Sequence, residues 1–408
     1  MKLERIETFT VKVPPPSLGG NYFYFIKLYT DDGVIGWGET SVLDCLYEMP
    51  RSFDVILSEM FEKFLKGKDP MRREQILSDL YASFAERHPN LLASGFISSI
   101  DIALCDIVGK VCGQPIYNLF GGKFREKIRS YSYICRTEPN RPNFSRLWLN
   151  EPETTVEIAV QMVEQGFNAL KLDPVSFFHP FFNVADENTL RSPYHMSLEQ
   201  YRYVDKLLSM LRGAIGNKAD IIIGTHGQLT TSSAIRLAKV MEPYDPLWFE
   251  EPVCPENFEE CNKVRMSTTI PISTGERSAS IFDFQRLLES GGASILQPDL
   301  GAAGGITACR KIAALAEPHY AEMAPHVWGG PIIYAAAVQL DACIPNFLIQ
   351  ETILDGHTAF FDDVCSKGIR WEKGYILPPD GPGLGIEMDE KAEGFNRWRI
   401  MNPYPKDK

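Results

Sequence analysis

Trp248-Phe249-Glu250-Glu251-Pro252 and Ser273-Thr274-Gly275-Glu276-Arg277 decide how this chain is read: each ends a short apolar run in a carboxylate, about one β/α unit apart. In a parallel (β/α)₈ barrel the C-terminal strand ends face one mouth, so acids and histidines placed there converge on a single spot. Ala324-Pro325-His326 and Leu348-Ile349-Gln350-Glu351 continue the series. The pattern is that of an enzyme.

Outward from these segments, between about Ile128 and Phe361, short apolar runs alternate with amphipathic helical stretches, the rhythm of a parallel sheet. Candidate strands end near Tyr133, Asp173, Gly224, Glu250, Gly275, Gln297, Ala324 and Gln350, the number a barrel requires. Upstream, Met1 to Val13 alternates like an edge strand, and Tyr22–Tyr29 and Val34–Glu39 make a hairpin about Asp31-Asp32-Gly33. Helical periodicity follows over Phe53–Lys66, Arg72–Arg87 and Leu92–Cys112. From Gly374 the tail is rich in glycine and proline. The expected architecture is α/β: an α+β capping domain over residues 1–125, a modified (β/α)₈ barrel over 126–370, and a C-terminal segment, 371–408, packing back on the cap.

A length of 408 residues with 44% hydrophobic content supports a large core and a second, smaller domain. The net charge of -12 argues against a nucleic-acid footprint or a polybasic membrane surface, leaving small molecules as the expected partners. No signal peptide is read at the N-terminus, and no run is read as approaching the roughly 20 apolar residues of a membrane span. Nine cysteines without a CxxC pair suggest a reduced, cytoplasmic protein. A homo-oligomer is expected.

These segments together carry a resemblance. Asp106-Ile107-Val108-Gly109-Lys110, Gly113-Gln114-Pro115 and Gly121-Gly122 precede the barrel; then come Glu250-Glu251-Pro252, Thr274-Gly275-Glu276-Arg277, Gln297-Pro298-Asp299, Gly304-Gly305, Ala324-Pro325-His326 and Gln350-Glu351. In order and spacing the chain resembles the mandelate racemase branch of the enolase superfamily, and most closely its galactonate-dehydratase-type acid-sugar dehydratases. The resemblance implies a capping domain over a modified barrel, a Mg²⁺ site and removal of a proton next to a substrate carboxylate. It also favours Glu250 over Glu251 as a metal ligand, and gives Glu351 the task of assisting the substrate carboxylate, with the Lys171 cation nearby.

The chemistry explains the residue types. A proton α to a carboxylate is very weakly acidic, so its removal needs a cation for the developing charge and a base on one face of that carbon. Mg²⁺ prefers carboxylate oxygens, and Glu250 and Glu276 supply two. Here the chain departs from the family: the third strand usually ends in an aspartate ligand two residues before a histidine, yet this sequence reads Ile223-Gly224-Thr225-His226-Gly227. The second strand ends Lys171-Leu172-Asp173, where many relatives have a second lysine at the last position. Residues two apart on a strand share a face, so Asp173 is expected to replace the missing carboxylate beside the small Gly224; the alternatives are that water or His226 fills the position or that metal binding is weakened.

His326 and Asp299 end adjacent strands, and a carboxylate bonded to an imidazole fixes its tautomer and raises its basicity. His326 is the candidate general base. His226, at the mouth of the third strand, stands where a general acid would protonate a departing 3-hydroxyl. His179 and His195 lie in the long loop from Pro174 to about Ser197, which carries Phe177, Phe178, Phe181 and Phe182; His88, His319 and His357 have no comparable setting. The cap segment Pro14–Tyr22 has the prolines and glycines of a lid. The favoured activity is dehydration of a sugar acid to a 2-keto-3-deoxy acid, with a racemase, epimerase or cycloisomerase as the alternative. A silent binding protein is the third reading, supported only by Gly224.

Overall fold

Strand β1 (Leu3–Lys12), β2 (Tyr22–Thr30) and β3 (Ile35–Thr40) form an antiparallel sheet in that order. The computed structural model describes every residue except 15–16, 42–48, 84–89, 135–151, 176–192, 194, 354–358, 393–394 and 396–408. β2 is buried on both faces because two different partners cover it. Tyr24, Ile26 and Leu28 pack with the helices of the cap, while Phe23 and Phe25 join a core shared with the barrel loops and Phe395 of the tail. Two turnless faces of apolar side chains thus tie the cap to the rest of the chain.

The cap helices are α1 (Met49–Met60), extended by a π-helical turn over Phe61–Leu65, α2 (Arg73–Ser83) and α3 (Leu91–Cys112). α3 starts where the Asn90 side chain accepts the Ala93 N–H at 3.0 Å, and stops at Gly113, whose left-handed φ of 62° suits glycine. By length and composition α3 passes the test for a membrane span, contrary to the sequence expectation that no run approaches one; 83% of its most apolar window is buried inside the protein. It is a core helix, apolar all round because the cap sheet covers one side and the barrel another. Its close approach needs Gly36 and Gly38 of β3, where a Cβ would fall 2.1 Å from the Ala103 carbonyl and 1.9 Å from that of Ser99.

The barrel strands are β4 (Ile128–Tyr133), β5 (Ala169–Leu172), β6 (Asp220–Gly224), β7 (Trp248–Glu250), β8 (Ile272–Thr274), β9 (Ile295–Leu296), β10 (Glu322–Met323) and β11 (Gln350–Glu351). β4 to β10 pair in parallel in sequence order, and β11 pairs in parallel with β4. A bridge between Met323 and Phe347, with Leu348 N–H donating to the Met323 carbonyl at 2.8 Å, links the β11 segment back to β10 and completes the circuit. Each strand ends within a residue or two of the position read from the sequence. The barrel interior is filled by Tyr131, Ala169, Ile222, Trp248, Ile295, Ala324 and Ile349, with the Tyr131 and Trp248 rings edge to face at 5.3 Å. The floor is therefore closed, and chemistry is confined to the strand C-termini.

The tail takes two roads. Strand β12 (Cys365–Lys367) pairs with β15 (Glu387–Met388), while β13 (Arg370–Glu372) and β14 (Tyr375–Leu377) form a hairpin whose second strand pairs antiparallel with Ile128 and Arg129 of β4. Residue 371, expected to begin the C-terminal segment, lies inside β13. The tail meets the cap from Asp380 on: Tyr117 Oη–H donates to Asp380 Oδ1 at 2.6 Å, Leu384 N–H donates to Asp106 Oδ1 at 2.9 Å, Lys27 pairs with Glu390, and Phe395 packs on Phe9 and Phe25.

Candidate active site

At the centre of the mouth stands Lys171, the next-to-last residue of β5 and almost fully buried. Its ammonium lies 2.5 Å from Glu250 Oε1 and 3.0 Å from Glu351 Oε1, over the Tyr133 ring at 4.7 Å. Glu250 is further held at Oε2 by Trp248 Nε1–H at 3.0 Å and Gln297 Nε2–H at 2.7 Å. Glu351 accepts the Val327 N–H at 3.1 Å on its other oxygen. A Cβ built on Gly224 would meet Lys171 Cε at 3.3 Å and Glu250 Oε1 at 3.7 Å. The gap left by the missing third-strand side chain is thus fronted by the lysine stem.

Two carboxylate–imidazole pairs flank this centre. In one, Asp299 Oδ2 lies 2.7 Å from His326 Nδ1, with Asp299 and His326 in parallel bridge contact between the ends of β9 and β10. An ionised carboxylate at that distance makes Nδ1 the protonated nitrogen, so Nε2 faces the mouth. There it is 3.8 Å from Glu276 Oε2 and 3.8 Å from Glu351 Oε2.

In the other pair, Asp173 Oδ2 lies 2.8 Å from His226 Nδ1, and Asp173 Oδ1 accepts the Val175 N–H at 3.0 Å. Asp173 is thereby placed with the imidazole, where the sequence had expected it beside Glu250 and Glu276. His226 Nε2 points inward, 3.4 Å from the Tyr133 hydroxyl. Strand alternation does not carry His226 there, because β6 stops at Gly224 and His226 sits in a left-handed turn with φ of 48°. Such a backbone costs about 1 kcal/mol for a residue with a Cβ. The turn is pinned by Thr225 Oγ1–H and Gly227 N–H, which donate to the Glu251 carbonyl at 2.9 and 2.7 Å, and Glu251 is itself clamped by the Arg277 guanidinium at 2.6 and 3.2 Å.

The electrostatics follow from crowded acids. Burial alone would lower the His326 pKa, but the Glu276, Glu351 and Asp299 carboxylates push it up to about 10. Burial would raise Glu276, yet the facing His326 and His226 imidazoles with Arg277 and Lys171 hold it well below the usual carboxylate range. Burial, with Glu276 adding to it, raises Glu251 to about 7 against the pull of Arg277. Lys171 stays charged despite burial, because Glu250 and Glu351 face it.

Among the described residues no three acid, imidazole or thiol side chains converge closely enough to chelate an ion. The donor set nevertheless fits a divalent cation. Glu250, Glu276 and Glu351 stand around a single buried lysine, Lys171, and Glu276 and Glu351 together with Asp299 favour a proton on His326. Mg²⁺ is commonly held by one or two carboxylates together with water and ligand oxygens, which Glu250 and Glu276 can supply.

Ser41, Glu39, Gln297, Tyr133 and Trp248 all shape the site without having been assigned a role from sequence. Gln297, Tyr133 and Glu39 were visible as strand ends, Glu39 in the cap hairpin; nothing local marks Ser41. Within the expected lid, Pro14–Tyr22, Gly19 lies at the mouth: a Cβ on it would fall 2.5 Å from the Gly329 carbonyl, just after His326. His195 bonds Ser233 at 3.3 Å, and His319 lies in a turn before β10, away from the mouth. His88, His179, His357 and the four phenylalanines of the second βα loop lie outside the described residues.

An eight-stranded parallel barrel under an α+β cap, with acids and histidines on its strand ends, is the layout of the enolase superfamily. The pattern of the mandelate racemase / muconate lactonizing enzyme N-terminal domain matches residues 5–121, and that of the enolase C-terminal domain-like family matches residues 154–392. The chain belongs to the mandelate racemase/muconate lactonizing enzyme family of that superfamily. It is similar to proteins named D-galactonate dehydratase from Ralstonia pickettii (strain 12J), 36% identical over 96% of this chain and 93% of the relative, and Ralstonia nicotianae, 35% identical with the same coverage. Solved structures of a mandelate racemase/muconate lactonizing enzyme-like protein from Roseovarius sp. TM1035 (38% identity, TM-score 0.88, 97% and 95% covered) and of a mandelate racemase/muconate lactonizing enzyme from Jannaschia sp. CCS1 (35%, 0.88, 99% and 99%) share the fold. The chain is accordingly an enzyme, of the hydro-lyase type.

Proposed function

We propose that this enzyme dehydrates a sugar acid, an aldonate or aldarate, to the 2-keto-3-deoxy acid with Mg²⁺ as cofactor, D-galactonate being the first substrate to test in view of its relatives' names. The observation that carries the reading is the pair of imidazoles on the third and seventh strands of eight, on opposite walls of the mouth, each presenting Nε2 inward. His326 Nε2 takes the proton on C2. The electron pair of that C–H bond is first held by the substrate carboxylate as an enediolate and then forms the C2–C3 double bond as the 3-hydroxyl departs, protonated by His226 Nε2, as water; the enol then tautomerises to the 2-keto acid.

Lys171 and Glu351 lie beside the base and would bind the substrate carboxylate end, and the cap around Gly19, packed against Gly329, would help exclude water. Glu250 and Glu276 would hold Mg²⁺. When bound, the ion supplies positive charge for the substrate carboxylate and offsets the acids that otherwise keep His326 protonated. The free cysteines suit a cytoplasmic enzyme, and the reading includes a homo-oligomer acting on a small carboxylate without nucleic-acid or membrane partners.

A screen of aldonic and aldaric acids with Mg²⁺, read by semicarbazide trapping of 2-keto acid, tests this. D-galactonate or a stereoisomer should give product. Failure of the whole panel with metal-loaded protein overturns it. Facing imidazoles also favour a second reading, epimerisation at C2, which would show as inversion without keto-acid release.

A further inference from the structure

Three consecutive residues at the end of β3 leave the cap and hold both halves of the Asp299–His326 pair. Ser41 Oγ–H donates to Asp299 Oδ1 at 3.0 Å, and Gly301 N–H donates to the same oxygen at 2.7 Å. Ser41 N–H and Thr40 Oγ1–H both donate to the Gly301 carbonyl, at 3.3 and 3.1 Å, fixing the turn after Asp299 against the cap. Glu39, with no exposed surface, accepts the N–H groups of Gly330 at 2.6 Å, Ile332 at 3.1 Å and Ile333 at 3.0 Å. These donors open helix α4 (Pro331–Cys343), which follows His326 after four residues. The aspartate and the histidine therefore sit in two barrel loops whose geometry is set from the other domain.

We infer that Ser41 and Glu39 are positioning residues for the general base, so that the His326 half of the site is assembled by docking of the cap while, among the described residues, the His226 half is held by groups of the barrel loops. The inference rests on His326 being the base. Its physical content is orientation. With Oδ1 engaged by a hydroxyl and a backbone N–H, Asp299 turns Oδ2 to His326 Nδ1, and only that tautomer leaves Nε2 free to accept a proton from C2. Without Ser41, Oδ1 keeps one donor and the carboxylate can rotate; without the Glu39 carboxylate, three buried N–H groups lose their acceptor and the loop carrying His326 loses its anchor. The contrast with Asp173 is direct, because its other oxygen takes a backbone N–H of its own loop.

The test has a substrate-free arm and a catalytic arm, both on the full chain loaded with Mg²⁺. Histidine ring ¹⁵N–¹H NMR, with His326 and His226 assigned from His326→Asn and His226→Asn, reports which ring nitrogen carries the proton. In Ser41→Ala the His326 signals should shift toward a mixture of tautomers and those of His226 should stay put. Ser41→Thr, which keeps the hydroxyl, should restore them. With D-galactonate, or whichever aldonate the keto-acid screen selects, Ser41→Ala should lose about 10- to 100-fold in kcat and in exchange of the C2 proton with deuterium, with KM little changed and Ser41→Thr recovering most of it. Glu39→Gln should act in the same direction, and circular dichroism and thermal melting confirm that each variant is folded. Unchanged His326 signals in folded Ser41→Ala overturn the positioning role. Shifted His326 signals with undiminished C2 exchange leave the positioning intact and instead show that His326 is not the base.

Discussion

The two carboxylate–imidazole pairs differ in what supports them. Asp299–His326 and Asp173–His226 have nearly the same bond length, 2.7 and 2.8 Å, and the same polarity, Nδ1 to carboxylate and Nε2 to the mouth. The first is braced by the cap through Ser41 and crowded by Glu276 and Glu351; its imidazole is 17% exposed. The second is braced by its own barrel loops through Val175 and Glu251, and its imidazole is 28% exposed, beside the Tyr133 hydroxyl. One fold has made the same device twice, with different surroundings for different work. Strong negative charge around His326 raises its proton affinity, whereas the looser setting of His226 leaves it room beside a leaving group.

Mutating the imidazoles breaks the comparison most sharply. His326→Asn should abolish both C2 proton exchange in deuterated buffer and keto-acid release, a loss of about 10³-fold or more, because no carbanion forms. His226→Asn should cost about 10²-fold in keto-acid release yet leave C2 exchange measurable by NMR, since the base is intact. Equal loss of exchange in both variants would mean that the two imidazoles do not divide the roles of base and acid.

The next effect concerns Asp173, whose place at the metal was expected from sequence and whose bond in the structure is to His226. Asp173→Asn should lower keto-acid release about 10- to 100-fold while leaving Mg²⁺ affinity by calorimetry within a few-fold of the parent. Glu250→Gln should reduce that affinity far more. If Asp173→Asn abolished Mg²⁺ binding, the carboxylate would belong to the metal and the two pairs would not be equivalent.

The smallest effect is on stability. The folded His326 pKa, pushed up to about 10 by Glu276, Glu351 and Asp299 against the effect of burial, lies above its ordinary value of 6.5. Such a group stabilises the fold fully below pH 6.5, and that contribution is lost as pH rises toward 10. Metal-stripped protein should therefore melt at progressively lower temperature between pH 7 and 10, and His326→Asn should flatten part of that slope. Mg²⁺ should flatten it as well, because added positive charge near Glu276 competes with the proton.

Much of this was legible in the chain. Strand ends at Gly224, Glu250, Thr274 and Met323 could be located within one residue, at Gly224, Glu250, Gly275 and Ala324, because an apolar run closed by Gly, Pro or an acid is a local signal. So could the nearness of Asp299 to His326, since consecutive barrel strands are neighbours. Three things were not. The α3 helix was not recognised as span-like, because its apolarity on every side has meaning only once the sheet and barrel that cover it are known. His226 reaches the mouth through a left-handed turn, which the alternation of a strand does not describe. Asp173 was assigned to a metal by its face on β5, whereas its choice of partner depends on where that turn delivers an imidazole.

The sequence by itself determined the eightfold βα rhythm, the cap that precedes it and the acids and histidines standing at the strand ends. These are written in residues a few positions apart, where hydrophobic period and turn chemistry act. Only the tertiary structure decided who bonds whom: Asp173 with His226 across 53 residues, and Ser41 with Asp299 across 258. Closing the ring and seating the cap bring such groups within 3 Å, and at that range the orientation of a single hydroxyl or carboxylate oxygen, which leaves no trace in local sequence, selects the partner.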